Sequence, residues 1–124
     1  MEDLSDQALM QVAQYFQALA EPTRLRIINA LRTGERNVGE LTEICGCSTA
    51  NVSRHLALLA GQGIVVRESR GTSVYYHVGE KNIYALCDLV CGSIAREFEK
   101  SSSVHLAINA AAMKGKVKGR KSAR

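Results

Sequence analysis

A chain of 124 residues with 46% hydrophobic content suits one compact domain with a tail rather than two domains, and it excludes wholesale disorder. The formal charge of +4 is misleading: residues 114–124 carry Lys114, Lys116, Lys118, Arg120, Lys121 and Arg124 and no acid, so the remainder of the chain is net acidic. Placement of charge, not its total, must therefore identify any nucleic-acid surface.

Residues 4–20 read as a helix, with Ser5 as N-cap and Leu9, Val12, Ala13, Phe16 and Leu19 at helical spacing. The single proline, Pro22, opens a second helix, because its missing N–H has no intrahelical partner in the first turn. Leu25, Ile28 and Leu31 mark its expected buried stripe, and Gly34 ends it. Asn37 and Glu40 have the spacing of a capping box for a short third helix whose expected inner face is Val38, Leu41 and Ile44. Gly46 breaks that helix, and Ser48 caps a fourth, with Val52, Leu56 and Leu59 as its core stripe and Gly61 and Gly63 at its end.

The period then changes. Ile64–Ser69 and Val74–Val78 are rich in β-branched and aromatic residues and flank Arg70-Gly71-Thr72-Ser73, the pattern of a β-hairpin. Residues 81–99 return to helix, with Ile83, Leu86, Val90, Ile94 and Phe98 on one side. The domain is expected over residues 1–100, followed by a weakly helical to disordered basic tail over 101–124. The fold class is mainly α with a small β-hairpin, in the order of four helices, two strands and a fifth helix.

Two short helices joined by a glycine turn make a helix-turn-helix, whose second helix must be apolar inside and polar, small or basic outside to enter a major groove. With Val52, Leu56 and Leu59 facing in, Ala50, Arg54 and Ala57 point out, flanked by Asn51 and Ser53. Arg54 suits a bidentate contact with guanine. Ser48, Thr49 and His55 are expected nearer the edge, in reach of phosphate. Arg67, Arg70 and Thr72 put donors on the hairpin, as a wing would.

Four segments in order, Ala18–Ile28, Val38–Leu41, Val52–Leu59 and Val74–Val78, resemble the ArsR/SmtB family of winged helix-turn-helix transcriptional repressors over about residues 8–98. The resemblance implies a homodimer through the first and last helices that represses an operon until an effector releases it. An apolar face over Ile83–Phe98, at the end of so small a domain, argues independently for the dimer. The partner is then double-stranded DNA with a palindromic operator.

The effector is less legible. Where metal-sensing relatives carry Cys-Val-Cys-Asp-Leu, this chain has Asn37-Val38-Gly39-Glu40-Leu41, and where others carry an Asp-x-His pair it has Glu80-Lys81-Asn82. Four cysteines stand elsewhere. Cys45 and Cys47 bracket the helix-turn-helix turn, and Cys87 and Cys91 lie four apart on the last helix. Either pair can present two thiolates to a soft metal or metalloid ion, or respond to oxidants or reactive sulfur without any bound cofactor. Structural filler is the competing reading, strongest for Cys87 and Cys91 on the apolar stripe.

No apolar run approaches the roughly 18 residues of a membrane span. The acidic Met1-Glu2-Asp3-Leu4 is unlike a signal peptide, so a cytoplasmic location with reduced thiols is expected. Neither a P-loop nor a nucleophile elbow is present, so an enzyme is not expected. The remaining alternatives are a winged-helix regulator with no small-molecule effector and a winged-helix protein-interaction module.

Overall fold

The computed structural model describes the backbone of residues 3–116, and their side chains except for 103–105 and 111–116. Packing divides the chain into two compact units, with the boundary between Tyr84 and Ala85.

In the first unit, helix α1 spans Asp6–Leu19, and Ser5 caps it by accepting from the Ala8 N–H at 3.1 Å. Helix α2, Pro22–Ala30, has Pro22 in its first turn and Glu21 as N-cap. A 3-10 turn over Leu31–Thr33 continues it to Gly34. Strand β1 is only Arg36–Asn37, too short to leave a sequence pattern, and was not anticipated. Helix α3, Val38–Cys45, starts on the expected capping box: Asn37 Oδ1 accepts from the Glu40 N–H at 2.8 Å, and Glu40 Oε1 from the Asn37 N–H at 2.9 Å. Gly46 closes it in the left-handed region (φ 66°), which a side chain would disfavour. Helix α4 is Thr49–Gly61, capped by Ser48.

Strands β2 (Val65–Arg70) and β3 (Ser73–Val78) form the hairpin, with Val65 opposite Val78 and Arg70 opposite Ser73. Strand β1 adds to β3 antiparallel, so the sheet order is β1-β3-β2. The base of the hairpin is tight: Gly79 donates to Ile64 O at 2.9 Å, and a Cβ on Gly79 would fall 2.7 Å from the Gly63 carbonyl oxygen.

The core lies where α2, α3, α4 and the sheet meet. Ile27, Ile28, Leu41, Val52, Leu56 and Leu59 are essentially inaccessible. Two expectations change here. Leu25 and Ile44 are exposed, and Ile27 takes the inward position on α2. On α1, Leu9, Met10 and Phe16 are also exposed, although Ala18 and Leu19 are buried.

Helix α5 begins in the first unit at Asn82, where Ile83 is buried and the Tyr84 hydroxyl donates to Ile28 O at 2.7 Å. The second unit is the rest of α5, which runs without a break to Lys116 rather than ending near residue 99. Residues 101–113 contain no Gly or Pro, so nothing in them stops a helix. Leu89, Val90, Ile94 and Phe98 are exposed along it. The end of the basic tail, residues 117–124, lies outside the described residues. Among the described residues no helix is long and apolar enough to cross a membrane.

Candidate nucleic-acid interface

The turn between α3 and α4 orients one face of α4 outward. Because Val52, Leu56 and Leu59 are pulled into the core, the helical period leaves Ala50, Ser53, Arg54 and Ala57 in solvent, with Asn51 half-buried beside them. Ser48 Oγ accepts from the Asn51 N–H at 3.1 Å, so this residue is committed to the helix start, and Thr49 follows it exposed. Arg54 donates from Nη2 to Asn51 Oδ1 at 2.5 Å, one turn back on the same helix. That bond pre-orients the guanidinium while leaving its other donors available.

His55 departs from expectation. It is 6% exposed and turned into the protein, so it presents no edge to a phosphate. Its Nδ1 lies 3.1 Å from Arg24 Nη1, and its Nε2 lies 3.9 Å from Glu21 Oε1. The physical reason is the helical phase: one position before Leu56, the ring lies on the flank that α2 covers, where Arg24 offers a donor. Glu21 also accepts the Arg24 N–H, and that bond is the main cause that holds its carboxyl below the usual range.

On the hairpin, Arg67 and Thr72 are exposed, and Gly71 makes the turn with φ 62°. Arg70 is exposed but engaged. Its guanidinium bonds both oxygens of Glu35 at 2.5 and 2.6 Å, reaches Glu68 at 3.3 Å, and lies 5.0 Å from the centroid of the Tyr75 ring. The Glu35 bonds, with Glu68 second, stabilise its charged form, and Arg70 in turn lowers the Glu35 pKa. Sequence reasoning missed Glu35, because it stands 35 residues from Arg70 and outside any recognisable pattern.

Cys45, Cys47, Cys87 and Cys91 are thiols, not disulfides. Cys45 ends α3 and Cys47 follows the turn, both half-buried, with Cys47 Sγ 3.5 Å from Cys45 O. Burial pushes the Cys45 thiol pKa up, the neighbouring Cys47 adds to this, and Arg26 offsets it in part. Cys87 is half-buried and Cys91 exposed, one turn apart on α5. Among the described residues no three His, Cys, Asp or Glu side chains converge as a metal site.

Comparison with known proteins gives this geometry a context. Residues 21–66, from the N-cap of α2 into β2, match the model of the bacterial regulatory protein arsR family. The chain is 39% identical over 85 residues to the transcriptional regulator NmtR of Mycobacterium tuberculosis, covering 68% of this chain and 71% of that one. It is 36% identical over 88 residues to the cadmium resistance regulatory protein CadC homolog of Staphylococcus aureus, covering 70% and 73%. The homodimeric winged helix-turn-helix DNA-binding domain of Mb0332 from Mycobacterium bovis superposes with a TM-score of 0.69 at 31% identity, over 81% of this chain and 95% of that one. With the helix-turn-helix, the β2–β3 wing and this extent of identity in one chain, the protein belongs to the ArsR family and is a DNA-binding transcriptional regulator, not an enzyme.

Proposed function

We propose that the protein is a cytoplasmic homodimeric repressor that binds a palindromic operator and leaves it when a thiol-directed effector engages one of its cysteine pairs. The observation that carries the DNA reading is the outward face of α4, where Arg54 stands between two exposed alanines, Ala50 and Ala57. The alanines let the helix approach the base edges, and Arg54 pairs with guanine O6 and N7. Ser48 and Thr49 lie at the helix N-terminus, where free N–H groups and the dipole favour phosphate, and Asn51 and Ser53 border the reading face. Arg67, Arg70 and Thr72 meet the backbone from the wing and set register.

The exposed apolar residues of α1 and of α5 support a dimer, as does the homodimeric state of the Mb0332 domain. A two-fold axis places two copies of α4 about 34 Å apart, one turn of DNA, which is why the operator is a palindrome.

Exchange of Arg70 from carboxylate to phosphate gives a direct test of the wing. Replacing Arg70 with Gln removes the guanidinium that exchanges, and with it the phosphate contact. DNA binding by R70Q is expected to lose about one unit of log–log salt slope, the worth of roughly one phosphate contact. A slope equal to wild type between about 50 and 200 mM salt would assign Arg70 to wing scaffolding with Glu35.

For the effector, each cysteine pair supplies two sulfurs, which suits thiophilic ions of low coordination number more than tetrahedral zinc. Relatedness to a cadmium resistance regulator favours the same chemical class. Cys45 and Cys47 flank the turn that orients α4, so a ligand drawing their sulfurs together distorts the reading surface. Because the Cys45 thiol is held protonated, metal binding there displaces a proton and strengthens as pH rises. Cys87 and Cys91 act instead through the α5 contribution to the dimer.

Fluorescence anisotropy of the reduced protein on its own upstream DNA tests the whole reading, with arsenite, cadmium, persulfide and peroxide added in turn. One agent should abolish binding, and a Cys→Ser change in one pair should remove that response alone. Binding that ignores every agent makes the protein a regulator without a thiol effector. No sequence-selective binding at all points to a protein-interaction module.

A further inference from the structure

The contact between Arg24 and His55 is a hydrogen bond in one tautomer only. A guanidinium has five N–H donors and no acceptor, so its 3.1 Å approach to Nδ1 is a hydrogen bond only if that nitrogen presents its lone pair. The ring is then neutral, with its proton on Nε2, the nitrogen nearer Glu21. Arg24 spends its other donors on α1: Nε bonds Ala18 O at 2.7 Å and Nη2 bonds Gln17 O at 3.3 Å. These carbonyls belong to the last turn of α1, where helix C-termini leave carbonyls over; Gln17 O also accepts the Ala20 N–H at 3.1 Å. One guanidinium therefore joins the end of α1, the first turn of α2 and the middle of α4.

The location of the acceptor matters as much as the bond. His55 follows Arg54, on the outward face, and precedes Leu56, which is fully buried. Leu56 and its neighbours hold α4 against the core by contacts that have no direction. A hydrogen bond at His55 does have one, and it resists rotation of the helix about its own axis. A rotation of a few tens of degrees would leave the core contacts adaptable but swing Arg54 away from a base edge.

We propose that His55 is a positioning residue for DNA recognition: as a neutral Nδ1 acceptor for Arg24, it locks the rotation of α4 to the corner between α1 and α2. The inference rests on α4 being the helix that reads DNA, so part of its test is independent of DNA.

His55→Asn keeps an acceptor close to the place of Nδ1, whereas His55→Leu keeps bulk and removes it. Arg24→Lys keeps the charge and loses the fork. Operator affinity should fall about tenfold in H55L and in R24K, and stay within about threefold of wild type in H55N. The double variant H55L/R24K should be no weaker than R24K alone, because R24K already breaks the bond that H55L removes. Nitrogen-15 NMR of the free protein should show Nδ1 unprotonated and Nε2 protonated at neutral pH.

A ring protonated on Nδ1, an H55N as weak as H55L, or an H55L that binds like wild type each overturns the proposal. Should H55L not fold, the comparison of H55N with R24K and the ring signals still decide it. If the NMR result holds while Arg54→Ala leaves binding unchanged, the assignment of α4 has failed and the His55 lock has not.

Discussion

Leu56→Ala is expected to cost about 2–5 kcal/mol of folding stability, a large share of the roughly 5–15 kcal/mol that such a domain possesses. Leu56 is 0% exposed and lies on the inward face of α4, between Val52 and Leu59, which are equally buried. Helix α4 packs on α2, α3, β2 and α1, so a cavity at its centre is walled by several elements that cannot all collapse into it. Urea denaturation followed by circular dichroism, at one fixed protein concentration because dimerisation adds to apparent stability, measures the loss. A change below about 1 kcal/mol would mean that the site relaxes around the missing atoms and that α4 is not the keystone of the core.

Arg54→Ala should do the opposite, sparing the fold and damaging recognition. The side chain is exposed and bonds Asn51 on its own helix, so the stability change should stay within about 0.5 kcal/mol. Operator affinity should fall by about 1–3 kcal/mol, roughly five- to 150-fold, with weaker discrimination at one base pair of each half-site. Competition anisotropy with operators substituted at single positions reads both effects. A uniform loss across all sequences, with a salt slope shallower by about one, would make Arg54 a phosphate contact. Unchanged affinity would remove this face of α4 from the interface.

The elements and their order were legible because the signals for them are local. Ser5, Asn37 with Glu40, and Ser48 each cap a helix through a partner three residues away, and Pro22 opens α2 for the same short-range reason. The hairpin was readable from β-branched runs on either side of a glycine turn. The face of α4 that points outward was readable too, since Val52, Leu56 and Leu59 define a single stripe.

Where the apolar residues of a helix surround more than one side, the pattern did not choose. Leu25 and Ile27 were both available on α2, and packing against the neighbouring elements buried Ile27. Phe16 on α1 has helical spacing and yet is half exposed in the single chain.

What the sequence by itself determined, then, is whatever depends on residues within a turn or two: helices, caps, the hairpin and the stripe that orients α4. What only the tertiary structure decided is the partner of each long polar side chain. His55 turned inward because Arg24, 31 residues away, arrives with a donor, and Arg70 is restrained because Glu35 arrives from across the hairpin with a carboxylate. Local periodicity sets which way a helix faces, but a hydrogen bond between distant residues exists only after the core has brought their elements together, so its geometry cannot be read before the fold is known.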